Sequence, residues 1–280
     1  MSTGLVLAPQ RERSLLLRTP LIAAAGTVGY GREVSKALPL DKLGAVITNT
    51  TTLRPRAGAP QPRLVETPAG LLLCTGLQNP GLHAILRHHA RSWERLSVPV
   101  ILSLAAESAK EFAYCAGLAA EVESVAGLEL EPDLLADGED MVQVVDAVRS
   151  ATALPLLVHV PVGQPQAVAV AIVDLTAVGC DAVILGSPWP GLAMDQASGK
   201  PALSGDVLGP AIRPLALRLV YETAQLLDPD AAPIIAAGGV SSAADVAAFL
   251  AAGAQAVLLD TVIYVDPAAV TSIAEGASRR

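Results

Sequence analysis

Lysine, aromatic residues and cysteine are all scarce in this chain of 280 residues, and each scarcity excludes a class of protein. Lysine and arginine together number 19 against 27 acidic residues, and the net charge of −8 leaves no basic surface for nucleic acid or for an anionic membrane. The cysteines, Cys74, Cys115 and Cys180, are widely separated and form no CxxC pair, so neither a disulfide framework nor a zinc site is indicated. We expect a protein of a reducing, cytoplasmic compartment.

Long uninterrupted apolar runs are also missing from the chain. The first residues lack the basic region and long apolar stretch of a secretory signal, and the apolar run at 247–259 is interrupted by Gly253 and Gln255. We therefore expect a soluble protein that binds neither membranes nor nucleic acid.

The residues that are abundant favour an α/β protein. The hydrophobic fraction is 52% but the aromatic fraction only 3%, which suits apolar strands buried on both faces beneath alanine-rich helices. Short apolar runs alternate with segments of helical periodicity, the pattern of repeated strand–helix units. The predicted strands are 21–25, 45–48, 98–104, 128–130, 156–160, 182–185, 234–236 and 256–259, and the clearest predicted helices are 81–95, 107–123, 138–150, 164–178, 210–227 and 243–252. Eight units predict a single (β/α)8 TIM barrel over residues 1–280, with ligands at the carboxyl ends of the strands.

One strand end carries the strongest local signal for a ligand. The apolar run 234–236 leads into Gly238 and Gly239 and then into a helix, and glycines followed by free helix N–H groups form a seat for a phosphate. The next strand, however, ends at Asp260, whose carboxylate would repel an anion in that seat.

Several further segments carry a family resemblance. AAGTVGYG at 24–31, TTLRPRAG at 51–58, PRLVETPAG at 62–70 and GLQNPG at 76–81 resemble class 1 dihydroorotate dehydrogenases, especially the type B catalytic subunit. GPAIRPLALRLVYE at 209–222 and the segment from Gly238 to Gly253 extend the likeness over nearly the whole chain. The resemblance implies a (β/α)8 barrel that holds FMN, oxidises dihydroorotate to orotate, and works as a dimer or with an iron–sulfur flavin subunit.

The cofactor residues implied by the resemblance are only partly kept. The implied FMN positions are Gly26, Thr27, Gly209, Gly238, Gly239 and Thr261. Where the family has two flavin-contacting lysines, this chain has Asn49-Thr50 and His159. A reduced flavin gains negative charge that a nearby cation stabilises. We therefore expect the FMN site to be vestigial and no cofactor to bind.

The substrate residues and the base implied by the resemblance are also altered. Of the family's ring of asparagines only Asn79 remains, and the other positions align with Leu73, Ser103, Glu131 and Ser187. The family's Cys or Ser base follows the fourth strand, where this chain reads LELEPDL at 128–134. Glu131 or Asp133 would serve as a base only within about 3 Å of a bound substrate. We predict no catalytic residue.

Glu131, His159 and Asp260 are the residues from which a new site could be built. A carboxylate–histidine set can bind a metal, but the HxxxH-like spacing is missing, so we predict none. For Asp260, capping the next helix or pairing with His159 or an arginine are simpler roles.

Two functions remain open for this sequence. The first, which we favour because the fold pattern is kept while the ligand contacts are lost, is a catalytically silent subunit. Such a subunit would form a homo- or hetero-oligomer and pair with an active dihydroorotate dehydrogenase in pyrimidine biosynthesis. The alternative is an active FMN-dependent oxidoreductase of this type, or a barrel enzyme with a rebuilt mouth.

Overall fold

The computed structural model describes residues 5–11, 13–31, 37–195 and 197–277. The strands, in chain order, are β1 Leu5–Leu7, β2 Leu15–Leu17, β3 Leu21–Ala23, β4 Ala45–Ile47, β5 Leu64–Thr67, β6 Gly70–Leu73, β7 Val100–Ala105, β8 Val125–Glu131, β9 Leu156–His159, β10 Ala182–Leu185, β11 Trp189–Met194, β12 Pro201–Leu208, β13 Ile234–Ala236 and β14 Ala256–Leu259. The helices are α1 Leu82–Trp93, α2 Ala109–Ala120, α3 Met141–Ala151, α4 Pro165–Ala177, α5 Arg213–Ala224, α6 Ala243–Ala251, α7 Thr261–Val265 and α8 Ala269–Ala277.

Eight parallel strands close into a barrel in the order β3-β4-β7-β8-β9-β10-β13-β14, with β14 paired to β3. Each strand overlaps one of the eight predicted runs, and β10, β13 and β14 have the predicted bounds. The predicted (β/α)8 barrel is therefore confirmed. The first unit differs: between β3 and β4 the described residues contain only a short 3-10 turn, Leu40–Lys42.

The helices begin where short polar side chains replace the missing backbone partners. Ser108, Asp140 and Ser242 precede α2, α3 and α6, and each accepts a hydrogen bond from the N–H three residues further on. This local chemistry explains why these helices begin where they do.

Alternate strand residues face opposite sides of the barrel wall. Ile47, Ile101, Leu157, Ile184 and Ile235 belong to an inner apolar cluster, whereas their sequence neighbours pack outward against the helices. The hairpin β1–β2 adds Leu7, Leu15 and Leu17 to the inner cluster and so closes the amino-terminal end of the barrel. The open end is therefore the carboxyl-terminal one.

A second sheet stands beside the open end, and the sequence did not predict its strands. β5 and β6 follow β4, β11 and β12 follow β10, and they pair antiparallel in the order β11-β12-β6-β5. The segment before β5 ends at Arg63, which lines the cavity described below. Among the described residues, none of the helices combines the length and the apolar character that a membrane crossing requires.

Candidate functional site

A cavity of about 350 Å³ opens at the carboxyl ends of the barrel strands. Its walls come from the strand ends, from the loop after β3 and from the second sheet, which contributes Leu73, Asp206 and Leu208. This is the place where barrels of this class hold their ligands, and the volume is that of a small-molecule site.

The predicted glycine turn is present beside this cavity. Gly238 and Gly239 have φ values of +127° and +71°, conformations that side chains other than glycine rarely adopt. A Cβ on Gly239 would lie 2.5 Å from the carbonyl oxygen of Gly209, and one on Gly238 would lie 2.7 Å from the Cβ of Ala216. The structure thus brings Gly209, Gly238 and Gly239, three of the implied FMN positions, together.

Asp260 follows β14, the strand next to the one that leads into this turn, and acts as the N-cap of α7. Its carboxylate accepts hydrogen bonds from the backbone N–H of Thr261 and from the Thr261 hydroxyl, the latter at 3.0 Å. Burial raises the pKa of Asp260, while the N–H groups of Thr261 and Gly239 act in the opposite direction. Of the roles considered for Asp260, helix capping is the one observed. The carboxylate occupies donors that an anionic ligand would need.

The loop after β3 forms a wall of the cavity together with α7. Gly26 and Thr27 line the cavity, and the Thr27 hydroxyl donates to the carbonyl oxygen of Ala24 at 2.7 Å. The Tyr264 hydroxyl on α7 donates to the carbonyl oxygen of Gly26 at 2.5 Å. Burial raises the pKa of Tyr264, and the neighbouring Asp260 raises it further.

Glu129 is the most buried acidic residue of the cavity. It lies on β8 in register with Ser103 of β7, and its side chain is only 1% exposed. Its Oε2 atom has no hydrogen-bond partner among the described residues. Burial raises the pKa of Glu129 to about 7; His159 opposes this shift and Glu131 adds to it.

His159 ends β9 next to these acidic groups. Its Nδ1 lies 3.9 Å from Oε2 of Glu131, which is an ion pair only if the imidazole is protonated. Burial lowers the pKa of His159 despite the nearby carboxylates of Glu129, Asp133 and Asp206. The lowered pKa favours the neutral imidazole, which lacks the positive charge of a lysine.

Asp133 and Asp206 extend the acidic character towards the mouth. Burial raises the pKa of Asp206 to about 6, with a further increase from Asp133 and an opposing effect of His159. Burial also raises the pKa of Glu131, and Asp133 and Asp206 add to it. Arg63 is the arginine among the described lining residues, but its guanidinium donates to the carbonyls of Ala57 and Ala59 and to Gln78.

The remaining predicted site residues divide into two groups. Leu73, Ser187, Asn49 and Thr50 line the cavity, as the resemblance implies. Asn79 does not: its amide donates to Thr52 Oγ1 and the carbonyl of Leu77, both at 2.8 Å, and its oxygen accepts from Gly81 N–H at 2.8 Å. In this structure Asn79 holds a turn.

The trio considered for a metal meets in one cavity but not in one coordination sphere. Glu131 and His159 face each other, whereas Asp260 is bonded to its own turn. Within the described ranges no group of three or more His, Cys, Asp or Glu side chains is placed to hold a metal ion.

Three cavity residues were missed by the sequence analysis. For Glu129 a signal existed, because Glu129 and Glu131 alternate with leucines and must share the inner face of β8. Asp206 and Tyr264 gave no such signal, since Asp206 reaches the cavity through the second sheet and Tyr264 through a short helix.

Fold and cavity together define a (β/α)8 barrel with a small-molecule site at the carboxyl ends of its strands. A family model for dihydroorotate dehydrogenase matches residues 13–280, and the chain belongs to that family. It is 38% identical over 278 residues to "Dihydroorotate dehydrogenase B (NAD(+)), catalytic subunit" of Pelobacter propionicus, covering 95% of this chain and 90% of that protein. The proteins of that name from Geotalea daltonii and Bacillus caldolyticus are 38% and 35% identical, over 93% and 90% of this chain and 88% and 84% of theirs.

The residues of the cavity do not fit FMN well. A phosphate at the glycine turn would meet the carboxylate of Asp260, which already accepts hydrogen bonds from Thr261. Among the described lining residues there is no lysine to offset the charge of a reduced flavin, and five are acidic. The backbone of a phosphate turn is present, but its electrostatics oppose a phosphate.

Proposed function

We propose that this protein is a catalytically silent dihydroorotate dehydrogenase-like protein without bound FMN, and that it serves as a structural or regulatory subunit in pyrimidine biosynthesis. The observation that carries the proposal is the carboxylate of Asp260, which interacts with the backbone N–H groups of both Thr261 and Gly239. Two like charges about 4 Å apart repel by about 1 kcal/mol in water and by several times more in a partly buried site. The phosphate of FMN is therefore strongly disfavoured.

The rest of the cavity supports the same proposal. Dihydroorotate and orotate are anions, and the acidic residues Glu129, Glu131 and Asp206 line the cavity that such an anion would have to enter. Leu73 stands where the resemblance implies an asparagine, and its side chain has no hydrogen-bond donor for the carboxylate of such a substrate. Repulsion by the acidic groups and the missing donor both lower the affinity for an anionic substrate.

An association with an active subunit is the second part of the proposal. The relatives named above are catalytic subunits by name, so proteins of this kind are parts of larger enzymes. On β11 the outward face carries Leu192 and Met194, which are 59% and 52% exposed. Adjacent exposed apolar side chains are typical of contact surfaces, which supports pairing with an active dihydroorotate dehydrogenase.

A barrel enzyme with a rebuilt mouth is the second candidate function. It is favoured by the convergence of Glu129, Glu131 and His159, whose pKa values are all shifted by burial. Such perturbed groups in a cleft are frequent in active sites. Against it, the hydroxyl of Ser103 beside Glu129 is fully buried, and Ser103 is outside the described lining of the cavity.

The visible absorption spectrum of the purified protein tests the first part. We expect a colourless protein after gel filtration, and no flavin band after incubation with FMN and a second filtration. A flavin band that co-elutes with the protein would overturn the proposal and favour an active oxidoreductase.

A pull-down from the source organism tests the second part. We expect an active dihydroorotate dehydrogenase to be recovered with the tagged protein, and recovery to fall when Leu192→Glu is used as bait. A deletion strain with unchanged pyrimidine synthesis, together with a purely homomeric protein, would contradict the pairing.

A further inference from the structure

Two buried acceptor atoms at the cavity have no hydrogen-bond partner within the described part of the chain. They are Oε2 of Glu129 and Oδ1 of Asn49, and both residues line the cavity. A buried acceptor without a donor is unfavourable, and more so when it belongs to a carboxylate. What the site lacks is a group that donates hydrogen bonds.

The charge around these atoms indicates which kind of donor is missing. Glu129, Glu131, Asp133, Asp206 and Asp260 line the cavity. The two basic residues of the lining do not balance them, because Arg63 supplies a single positive charge and is held by the carbonyls of Ala57 and Ala59, and because burial lowers the pKa of His159. A positively charged donor would pair with Glu129 and reduce the repulsion among the other acidic groups.

The geometry distinguishes between classes of cation. No group of three or more acidic, histidine or cysteine side chains in the described residues is placed to hold a metal ion. A cavity of about 350 Å³ has room for an organic molecule. An alkylammonium group donates three hydrogen bonds and needs no closed coordination sphere.

We propose that this cavity binds a small organic cation that carries a primary ammonium group, with Glu129 as its buried counter-ion. The inference rests on the proposed function, because a flavin and such a cation would occupy the same cavity. The carboxylates of Asp206 and Asp133 nearer the mouth suit a second ammonium group, so an alkyl diamine is the best match to the distribution of charge.

Binding of such a ligand must be linked to the release of a proton. Without ligand, burial holds the pKa of Glu129 at about 7, with Ser103, Glu131 and His159 as neighbours on β7, β8 and β9 and with Asp133 and Asp206 towards the mouth. An ammonium group favours the ionised carboxylate. Affinity should therefore rise about tenfold between pH 6 and pH 8.

Isothermal titration of the full-length protein with putrescine, at pH 8 and about 0.15 M salt to screen surface charges, tests the proposal. We expect saturable binding, and at least tenfold weaker binding to Glu129→Gln, which keeps the shape of the side chain. Glu123→Gln is the matched control, because it removes the same charge from an exposed residue just before β8. Its affinity should equal that of the unaltered protein.

Two results would overturn the inference. One is equal putrescine affinity in Glu129→Gln and the unaltered protein, and the other is equal affinity for putrescine and the neutral 1,4-butanediol. The visible spectrum of the same sample distinguishes a failure of this inference from a failure of the proposed function. A colourless protein without putrescine binding removes only the inference, whereas a bound flavin removes the proposed function as well.

Discussion

At the amino-terminal end of the barrel Asp181 is held between two arginines, whereas at the carboxyl-terminal end Glu129 has an unpaired oxygen. Asp181 precedes β10, and its two oxygens accept from Arg11 Nε at 2.8 Å and from Arg149 Nη2 at 2.6 Å. Arg149 also donates to the carbonyls of Thr152, Leu154 and Gly179. At the other end the acidic side chains face a cavity and repel one another.

The difference shows what a buried charge contributes at each end. Asp181 links the loop of the β1–β2 hairpin, through Arg11, to α3 and β10. It therefore holds in place the hairpin that closes the amino-terminal end of the barrel. At the mouth, burial without a cationic partner raises the pKa values of Glu129, Glu131 and Asp206, so their ionised forms are unfavourable in the folded protein. Stability is therefore concentrated at one end and binding capacity at the other.

Replacing Asp181 should have the largest effect on stability. Asp181→Asn removes the counter-ion of both Arg11 and the half-buried Arg149. Hydrogen bonds to charged groups contribute about 1.5–3 kcal/mol each, so we expect a loss of about 3–5 kcal/mol in the free energy of unfolding. Urea denaturation measures it. Asp174→Asn, at an exposed position of α4, is the matched control and should change stability by no more than about 0.5 kcal/mol. Equal free energies of unfolding for the two variants would show that the ion pairs of Asp181 do not stabilise the fold.

Neutralising Glu129 should have the opposite sign. The pKa of Glu129 rises from 4.5 to about 7 on folding, so the folded state binds the proton more tightly and loses stability as the pH rises through this window. Glu129→Gln should therefore be more stable than the unaltered protein by about 3 kcal/mol at pH 8, and nearly equal to it at pH 4.5. Urea denaturation at both pH values measures the difference, with Glu123→Gln as the control. A destabilised Glu129→Gln at pH 8 would mean that the carboxylate has a partner.

Removing the carboxylate of Asp260 beside the glycine turn should have the next smaller effect. Asp260→Gly removes the carboxylate that accepts from Thr261, so we expect the affinity for inorganic phosphate to rise about tenfold, a gain of roughly 1.4 kcal/mol. Equilibrium dialysis with labelled phosphate measures it. Asp260→Asn removes the charge but keeps the side chain in place, and should give a smaller gain. If neither variant gains affinity, the turn is closed by its shape and not by its charge.

The fold was largely readable from the sequence, because buried parallel strands leave a local signal. The apolar runs at 182–185, 234–236 and 256–259 coincide with β10, β13 and β14. β8 is longer than predicted at both ends: it includes Val125, Ala126 and Gly127 before the predicted run, and Glu131 after it. The second sheet was missed because its pairing is distant in sequence: Leu71 of β6 pairs with Leu208 of β12.

The candidate site could be predicted only in part, because the sequence pattern reports local structure and not contacts between distant residues. The turn of Gly238 and Gly239 follows from local backbone requirements, and so does Asp260 as the residue after a strand. The shift in the pKa of Glu129 depends on burial and on His159, Glu131 and Ser103, which the fold brings together from three strands. No local pattern in the sequence contains that information.

The smallest expected effect on stability concerns the wall of the cavity that α7 forms with the loop after β3. Tyr264→Phe removes one hydrogen bond, from the hydroxyl to the carbonyl of Gly26, and Tyr264 is 52% exposed. Water can replace the lost donor, so the free energy of unfolding should fall by only about 0.5 kcal/mol, measured by urea denaturation against the unaltered protein. The mouth would then contribute little to global stability even where it is hydrogen-bonded. A loss comparable to that of Asp181→Asn would contradict this division, because it would make α7 and the loop after β3 as important for folding as the arginine cluster at the closed end.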